Sequence, residues 1–526
     1  MNKRAISALV AGFCLALSGA AFSQTTLTAA VDHSIKNAPD IATDARFRRS
    51  VDEALLGSYA AFLPSLDAGW GYGREKGLSS STAGKWSERR TRHEKSLTAQ
   101  WNIFQSFGAY FEVERNRARM ASAAHATANT SEQVALRVVE SYLDVLRLRE
   151  TVRLTKQNRD NHQKTYDQIQ MRASSGVGRQ SDLEQAEARL ALAKSNLVSS
   201  EANLRDAEIA FQRYTGLRPD QLQQPSPPEA GLLPSSLEGA LSEAHLSNPA
   251  YKQSQADVAA AEAQYQTAKS PFGPRFDIEG GLVNNDNVSG LQGPSYDHYA
   301  MLRMRWNLFR GGADTARLGE TKQLSYQALE ISKRTLMQLD QSTALSWNTL
   351  ASVRERLPHL KKHVDSSLAT RDAYTLQFSI GQRTLIDLLD TENEYYTATV
   401  EYVNGQYLEI FACYRLMADM GRLLRSLHVQ PLQESVPTER VGWTNPWSRS
   451  DYAPPRQIPV SSPAQQEEAA LVPETPYRQQ SAQPQTVQPA GTVQPAAWGT
   501  VQPAQQGGGA TLQPIPGTDP SRSPSR

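Results

Sequence analysis

The sequence predicts a mainly α-helical protein with a small membrane β-barrel. An internal duplication gives each chain four strands and several long coiled-coil helices. Three observations carry this reading. The phrase LTAQWNIFQSFGAYFE (97–112) is echoed by LRMRWNLFRGGADTA (302–316), with Trp101 and Trp306 standing 205 positions apart. Long stretches following each echo hold apolar residues at alternating steps of three and four, the 3.5-residue repeat of supercoiled helices. Short stretches at each echo alternate apolar and polar residues, as a strand with two different faces does.

The chain has 526 residues and opens with MNKRAISALVAGFCLALSGAAFSQ. Lys3 and Arg4, the apolar run Ile6 to Leu17 and the small residues around Ala21 and Ser23 read as a secretory signal peptide over 1–23. Cys14 lies inside it behind Phe13, where lipid attachment wants a small residue, so no lipidation is expected. Cys413 then stands alone among Phe411, Tyr414 and Leu416, a packed apolar side chain with no disulfide partner. The net charge of +1 points away from nucleic acid. No later apolar run is long enough to span a bilayer as a helix. An exported hydrophilic chain is either soluble beyond the inner membrane or set in an outer membrane as β-strands.

The duplication reaches well past the echo. Pro39 and Pro64 are 25 residues apart, as are Pro249 and Pro274. The first of each pair opens a helical stretch (Arg46 to Phe62; Tyr251 to Lys269), the second an alternating one, PSLDAGWGYG and PRFDIEGGLV. Further on, SSGVGRQSDLEQAE and FSIGQRTLIDLLDTE hold Gly176 and Gly381, Asp182 and Asp387, and Glu187 and Glu392 at the same 205-residue offset. One duplication accounts for all of these. It defines a first strand–helix repeat at 24–216, a Pro-rich connector at 217–236 and a second repeat at 237–429. From 430 to 526, Pro, Gln and Gly dominate and Thr-Val-Gln-Pro-Ala recurs at Thr486, Thr492 and Thr500, which predicts a disordered tail.

Two helical seams follow the heptad. Leu183, Ala186, Leu190, Ala193, Leu197, Ser200, Leu204, Ala207 and Phe211 form one; Leu389, Asn393, Tyr396, Val400, Val403, Tyr407, Ile410, Tyr414 and Met417 form the other. Between Val134 and Val152 one helix carries two seams, Leu136-Val139-Leu143-Leu146 and Val138-Tyr142-Val145-Val152. Such a helix takes neighbours on both sides, as in a helical wall or a plain antiparallel bundle. The run from Gly108 to Arg172 has no internal Pro or Gly and would reach ~95–100 Å. Its counterpart from Asp314 to Phe378 contains Pro358, which predicts either a kink or a junction between two helices.

In the strands, Ala300, Leu302, Met304, Trp306 and Leu308 alternate with Met301, Arg303, Arg305 and Asn307. Leu97, Ala99, Trp101 and Ile103 alternate with Thr98, Gln100 and Asn102. This fits a barrel wall with lipid on one side and water on the other, or a half-buried strand of a soluble sheet. Polar loops at 74–93 and 284–298 join two strands in each half. Four strands cannot close a barrel, for which about eight are needed. Two chains would supply eight strands, whose interior side chains fill, and three would supply twelve, so a conduit favours three.

Signal peptide, duplicated halves, two strands per half, long heptad helices and the Gly-x-x-[Thr/Ser]-x-x-Asp turns together resemble the outer membrane efflux proteins, the TolC family, over about residues 37–429. The resemblance implies a homotrimer whose twelve-stranded barrel continues as an α-helical tunnel across the periplasm. It also implies a periplasmic adaptor and an inner-membrane transporter, either ABC-type or proton-driven, as partners. An outer-membrane exit duct is the function implied. The absence of a lipidation cysteine favours type I protein secretion over small-molecule efflux. An exported soluble coiled-coil scaffold is the alternative from another class.

No catalytic, cofactor or metal site is expected. The sequence contains no Gly-x-Ser-x-Gly, no His-Glu-x-x-His and no paired cysteines, and GLSSSTAGKW (77–86) lacks the spacing of a phosphate loop. The basic run Arg89, Arg90, Arg92 and His93 meets either anionic surface lipid or water. The informative stretch is SIGQRTLIDLLD (379–390). Gly381, like Gly176, permits a tight helix reversal. Asp387 and Asp390 are three apart and share a helix face; in a threefold pore they stack as two carboxylate rings, and otherwise they are exposed acids favouring a helix start. The resemblance maps an entrance constriction onto Asp182, Arg383, Asp387 and Asp390, with an Arg383–Asp182 link between neighbouring protomers. Phe378 stands where a Tyr would donate to the same Asp. Trp101 and Trp306, near strand ends, fit membrane-interface anchors.

Overall fold

The computed structural model describes residues 25–439 apart from 79–81, 226, 227 and 229. The signal peptide expected at 1–23 and residues 440–526 of the tail expected to be disordered lie outside the described residues.

The first half opens with two short helices, α1 (Leu27–Asn37) and α2 (Pro39–Tyr59), followed by a 3-10 turn at Ala60–Phe62. Thr26 caps α1 by accepting from the Ala29 N–H, and Pro39 occupies the first turn of α2, where its missing donor has no helical partner to lose. The hairpin β1 (Ser65–Glu75) and β2 (Arg90–Gln105) comes next, then the long helix α3 (Gly108–Ser174) and its return α4 (Gln180–Thr215). The second half repeats the order: α5 (Leu237–Ser247), α6 (Pro249–Thr267), a 3-10 turn at Ser270–Phe272, β3 (Arg275–Asp286), β4 (Pro294–Arg305), α7 (Ala313–Ser379) and α8 (Leu385–Asp419). A single turn, α9 (Leu423–Ser426), closes it.

Matching elements stand 210 positions apart up to the starts of β1 and β3 (Ser65, Arg275) and 205 apart from the starts of α3 and α7 (Gly108, Ala313) onward. The five-residue difference is therefore confined to the hairpins. Two elements were not anticipated: α5, and α1, which buries Leu27, Ala30, Val31, Ser34 and Ile35 along one face. The helices read as starting at Arg46 and Tyr251 begin at the prolines themselves. Both long helices have 67 residues, ~100 Å at 1.5 Å per residue. α7 continues through Pro358 without a junction.

The two seams of α3 are both used. Val138, Val139, Tyr142 and Val145 are fully buried, and α3 packs against α4, α2, α6 and α8. Ala186, Leu190, Ala193 and Phe211 bury the seam of α4, and Leu389, Val403, Tyr414 and Met417 that of α8. The main core joins α1, the middle of α3, the end of α8 and α9; each fully buried side chain such as Leu416 contributes roughly 1.5–3 kcal/mol. Residues 430–439, counted with the tail by composition, return along the body. Glu434 pairs with Arg49 at 2.5 Å, and the Thr438 carbonyl accepts from Arg48 at 3.2 Å.

The four strands form one antiparallel sheet in the order β1-β2-β3-β4. β2 and β3 pair from His93↔Asp286 to Gln105↔Arg275, so the halves are joined edge to edge. Among the described residues the outer edges of β1 and β4 have no partner. The register shifts between Asn102 and Phe104. Ile103, read as part of the apolar alternation, is the extra residue of a bulge, and Phe104 continues that face opposite Phe276. β4 ends at Arg305, so Trp306 and Leu308 lie beyond the strand.

Candidate functional site

Two parts of the fold gather functional chemistry: the sheet, and the far turns between the long helices. Directly opposed residues of an antiparallel pair share a face, so the register sorts the sheet into two sides. On one stand Leu66, Trp70, Leu97, Trp101, Ile278 and Leu302, all between 40% and 72% exposed. Among the described residues no second layer covers them.

The opposite side is polar and ion-paired. Asp277, fully buried, takes Arg275 at 2.8 Å and Arg305 at 3.0 Å and accepts from the Asn102 amide at 3.0 Å. Glu279 takes Arg303 at 2.7 Å and also Arg305. Nearer the hairpin tip, Arg92 joins Glu75 at 2.5 Å and Glu94. Asp277 and Glu279 lie against the sheet and their arginine partners are the more exposed groups. These pairs depend on register, and period-two alternation gives only their side.

At the strand ends the two tryptophans behave alike. Trp101 donates its indole N–H to the Phe62 carbonyl at 2.9 Å, and Trp306 donates to the Phe272 carbonyl at 3.2 Å. Each tie runs back to the 3-10 turn that leads into the hairpin of its own half.

The helix reversals are equally alike. Gly176 and Gly381 adopt φ of 77° and 79°. The Val177 N–H returns to the Arg172 carbonyl at 3.1 Å, and the Gln382 N–H to the Gln377 carbonyl at 2.9 Å. Both are six-to-one closures behind a left-handed glycine. A small cluster of Ile169, Ala186, Phe378, Leu385, Leu388 and Leu389 binds the two turns together. Phe378 is buried within it, with the Arg172 guanidinium 5.0 Å from its ring.

Around this cluster sit the four charged residues singled out from the sequence. Asp182 lies in the first turn of α4, which has no side-chain cap. Asp387 closes a capping box with Thr384: its carboxylate accepts from the Thr384 N–H at 3.2 Å and hydroxyl at 2.8 Å, while the Thr384 hydroxyl oxygen accepts from the Asp387 N–H at 3.3 Å. Those hydrogen bonds from Thr384 hold the Asp387 carboxyl below the usual range, so it stays ionised. Asp390 pairs with Arg189 of α4 at 3.3 Å, a partner sequence reasoning missed because nothing in the spacing marks Arg189. Arg383 donates to the Gln377 side chain at 2.9 Å and lies 4.1 Å from the centre of the Tyr374 ring. Within one chain, then, Arg383 is held by the end of α7, and Asp182 and Asp387 belong to equivalent helix starts.

Comparison with known proteins agrees with this architecture. The family model for outer membrane efflux proteins matches residues 30–217 and 240–422, one segment in each repeat. The outer membrane efflux protein BepC of Brucella suis is 22% identical over 423 residues, covering 80% of this chain and 91% of its own. The proteases secretion protein PrtF of Dickeya chrysanthemi is 22% identical over 447 residues, covering 80% and 93%. The fold matches that of the CmeC outer membrane channel of Campylobacter jejuni with a TM-score of 0.67 at 15% identity, over 76% of this chain and 86% of that one. Two matched repeats, four strands and paired long helices place the chain in the outer membrane with a long periplasmic portion, and it belongs to the TolC-like outer membrane efflux protein family.

Proposed function

We propose that the chain is the passive exit duct of a tripartite export system. Three copies set their sheets edge to edge as a twelve-stranded barrel, and their long helices form the periplasmic tunnel. The observation that carries this reading is the sheet: one face apolar and exposed, the other charged, both outer edges without a strand among the described residues. Unpaired edges and an uncovered apolar face are satisfied together when copies close a ring in lipid. Trp101 and Trp306 then sit near the periplasmic interface of the membrane as anchors.

The helix turns form the periplasmic gate. Asp182, Arg383, Asp387 and Asp390 line its constriction, with Gly176 and Gly381 setting the reversals. Arg383 reaches Asp182 of a neighbouring protomer in the closed state. Exposed ion pairs contribute ~0–1 kcal/mol each, so a modest preference of a partner for the open form opens such a gate. An adaptor joined to an inner-membrane transporter supplies that preference, and the duct needs no energy source of its own.

Type I protein secretion is the favoured branch, supported by the likeness to PrtF and by the residue before Cys14, Phe13. Small-molecule efflux through the same duct is the second reading, supported by the likeness to BepC. Light scattering of purified protein in detergent, paired with planar-bilayer recording, tests the duct. A trimer mass and discrete conductance steps are expected; a non-conducting monomer overturns the proposal. Deleting the gene and assaying both secreted proteins and drug tolerance separates the branches.

A further inference from the structure

The first hairpin carries a charge that neither the gate nor the inner-face ion pairs use. Residues 74–95 hold seven Lys and Arg against Glu75, Glu88 and Glu94, a net charge of +4. The equivalent stretch 284–298 holds Asp286 and Asp297 with no Lys or Arg, a net charge of −2. All three acids of this stretch are taken, Glu75 and Glu94 by Arg92 and Glu88 by Arg90 at 3.4 Å. Arg74, Lys76, Lys85, Arg89 and Lys95 have no carboxylate partner among the described residues.

Two of these cations stand on the apolar side of the wall. Trp70 is opposite Lys95, Tyr72 opposite His93 and Arg74 opposite Thr91. Trp70 and Tyr72 stack with ring centres 6.4 Å apart, and Tyr72 meets His93 edge-on at 5.0 Å. Both Trp70 and Tyr72 are largely exposed, at 72% and 65%. Asp286, opposite His93, is the one acid on this face at this level among the described residues. Pairing of the free β1 edge with a neighbour would engage backbone groups and leave these outward side chains uncovered.

Their height along the wall fits a headgroup layer. From Trp101 to Thr91, the level of Arg74, is ten residues of β2, ~33 Å along the strand and ~25 Å in height at a tilt of about 40°. That is the height of the apolar band of such barrels, ~25 Å. Arg74 therefore reaches the interface far from the helices, and Lys95, lower down, extends its ammonium toward it along the aromatic ladder.

We propose that Arg74 and Lys95, over the Trp70–Tyr72–His93 ladder, bind a phosphorylated glycolipid of the outer leaflet. The cations take the phosphate, the exposed aromatic faces take the sugar ring, and the acyl chains lie on the apolar face below. This rests on the barrel reading of the sheet. It gives the basic run that begins at Arg89 a neighbour of matching chemistry, since the whole hairpin sits in the potential of that leaflet.

The test is native mass spectrometry of the purified full-length protein in detergent, titrated with bisphosphorylated lipid A. The Arg74→Gln/Lys95→Gln variant is compared with wild type and with Lys333→Gln, a helix-surface control. Affinity is expected to fall about tenfold or more in the double variant and to hold in the control. Wild-type protein given lipid A stripped of phosphate should match the double variant, a readout that survives if the variant fails to assemble. Equal binding by variant and wild type overturns the site, as does equal binding of dephosphorylated lipid A. Equal binding of phosphatidylglycerol overturns the glycolipid assignment, and equal occupancy by inorganic phosphate alone overturns the lipid one. Subunit mass and conductance are measured on the same samples. A conducting wild type without lipid A preference sinks this inference alone; a non-conducting monomer sinks the duct reading.

Discussion

Trp101 gives its indole N–H to the Phe62 carbonyl at 2.9 Å and so fastens the end of β2 to the turn that launches β1. The Trp306–Phe272 tie does the same for the second hairpin at 3.2 Å. Trp101→Phe keeps the ring and removes the donor. It should lower stability by ~0.5–1.5 kcal/mol, read as a lower temperature at which the folded band converts when samples heated to a series of temperatures are run on a gel. An unchanged transition would mean the ring alone holds that corner.

The acids at the helix turns have different local duties, and substitutions should separate them. Asp387→Asn keeps an acceptor for Thr384 and removes the charge, so cation selectivity in planar bilayers should drop with little loss of stability. Asp387→Ala also removes the cap, which costs ~0.5–2 kcal/mol. Equal selectivity of Asp387→Asn and wild type would place the filter elsewhere.

Arg189 masks Asp390 at 3.3 Å. Arg189→Gln should therefore make the entrance more cation-selective, while Asp390→Asn makes it less so. The reversal potential in a salt gradient checks the sign, and shifts in the same direction would refute the masking.

Glu132 of α3 accepts from the backbone N–H groups of Leu423 at 3.1 Å and Leu424 at 3.5 Å. Burial raises its carboxyl from 4.5 to about 7, and those N–H groups oppose the rise. The folded value exceeds the unfolded one, so the native state holds the extra proton between about pH 4.5 and 7. The stability it contributes is full below pH about 4.5 and lost as pH rises through 7, a span of ~3 kcal/mol. Glu132→Gln should flatten this slope, as melting of the helical portion between pH 4.5 and 8 would reveal. An unaltered slope would assign it to another group.

The strap at 433–439 gives a sharp truncation test. Arg48, 2% exposed, donates to the Thr438 carbonyl, and Glu439 is held by Arg117 and the Tyr59 hydroxyl. Ending the chain after Glu439 should leave the melting temperature unchanged. Ending it after Val429 leaves the Arg48 guanidinium short of an acceptor and should cost ~1–3 kcal/mol. Equal melting of the two truncations would mean the strap only rests on the surface.

Much of this architecture is legible in the sequence because it repeats. Trp101 and Trp306, the turn glycines and the heptads of α4 and α8 are periodic or rare, so their positions survive without coordinates. The double seam of α3 was readable because Val138 and Val139 are adjacent yet both apolar. What escaped depends on register or distance. Ile103 looks like any other apolar strand residue until its partner strand shows the bulge. Arg189 meets Asp390 only when two hairpins pack, and Arg305 bridges Asp277 and Glu279 only at one strand alignment. Of the two short helices, α5 buries only Ala240 and Ala244 and so shows little pattern, whereas the Leu27-Ala30-Val31-Ser34-Ile35 face of α1 was legible and overlooked.

The equal span of α3 and α7, 67 residues each, limits where the two halves can drift apart. A cylinder whose walls share both ends cannot tolerate one wall longer than its neighbour, so every insertion in a helix must be matched in the other repeat. The net difference of five positions arises in the hairpins, chiefly in their loops, 76–89 and 287–293, at the open rim, where added chain projects into free space. Length is thus free to vary there, and laboratory insertions of tags or epitopes should be accepted at 76–89 and rejected along the shafts.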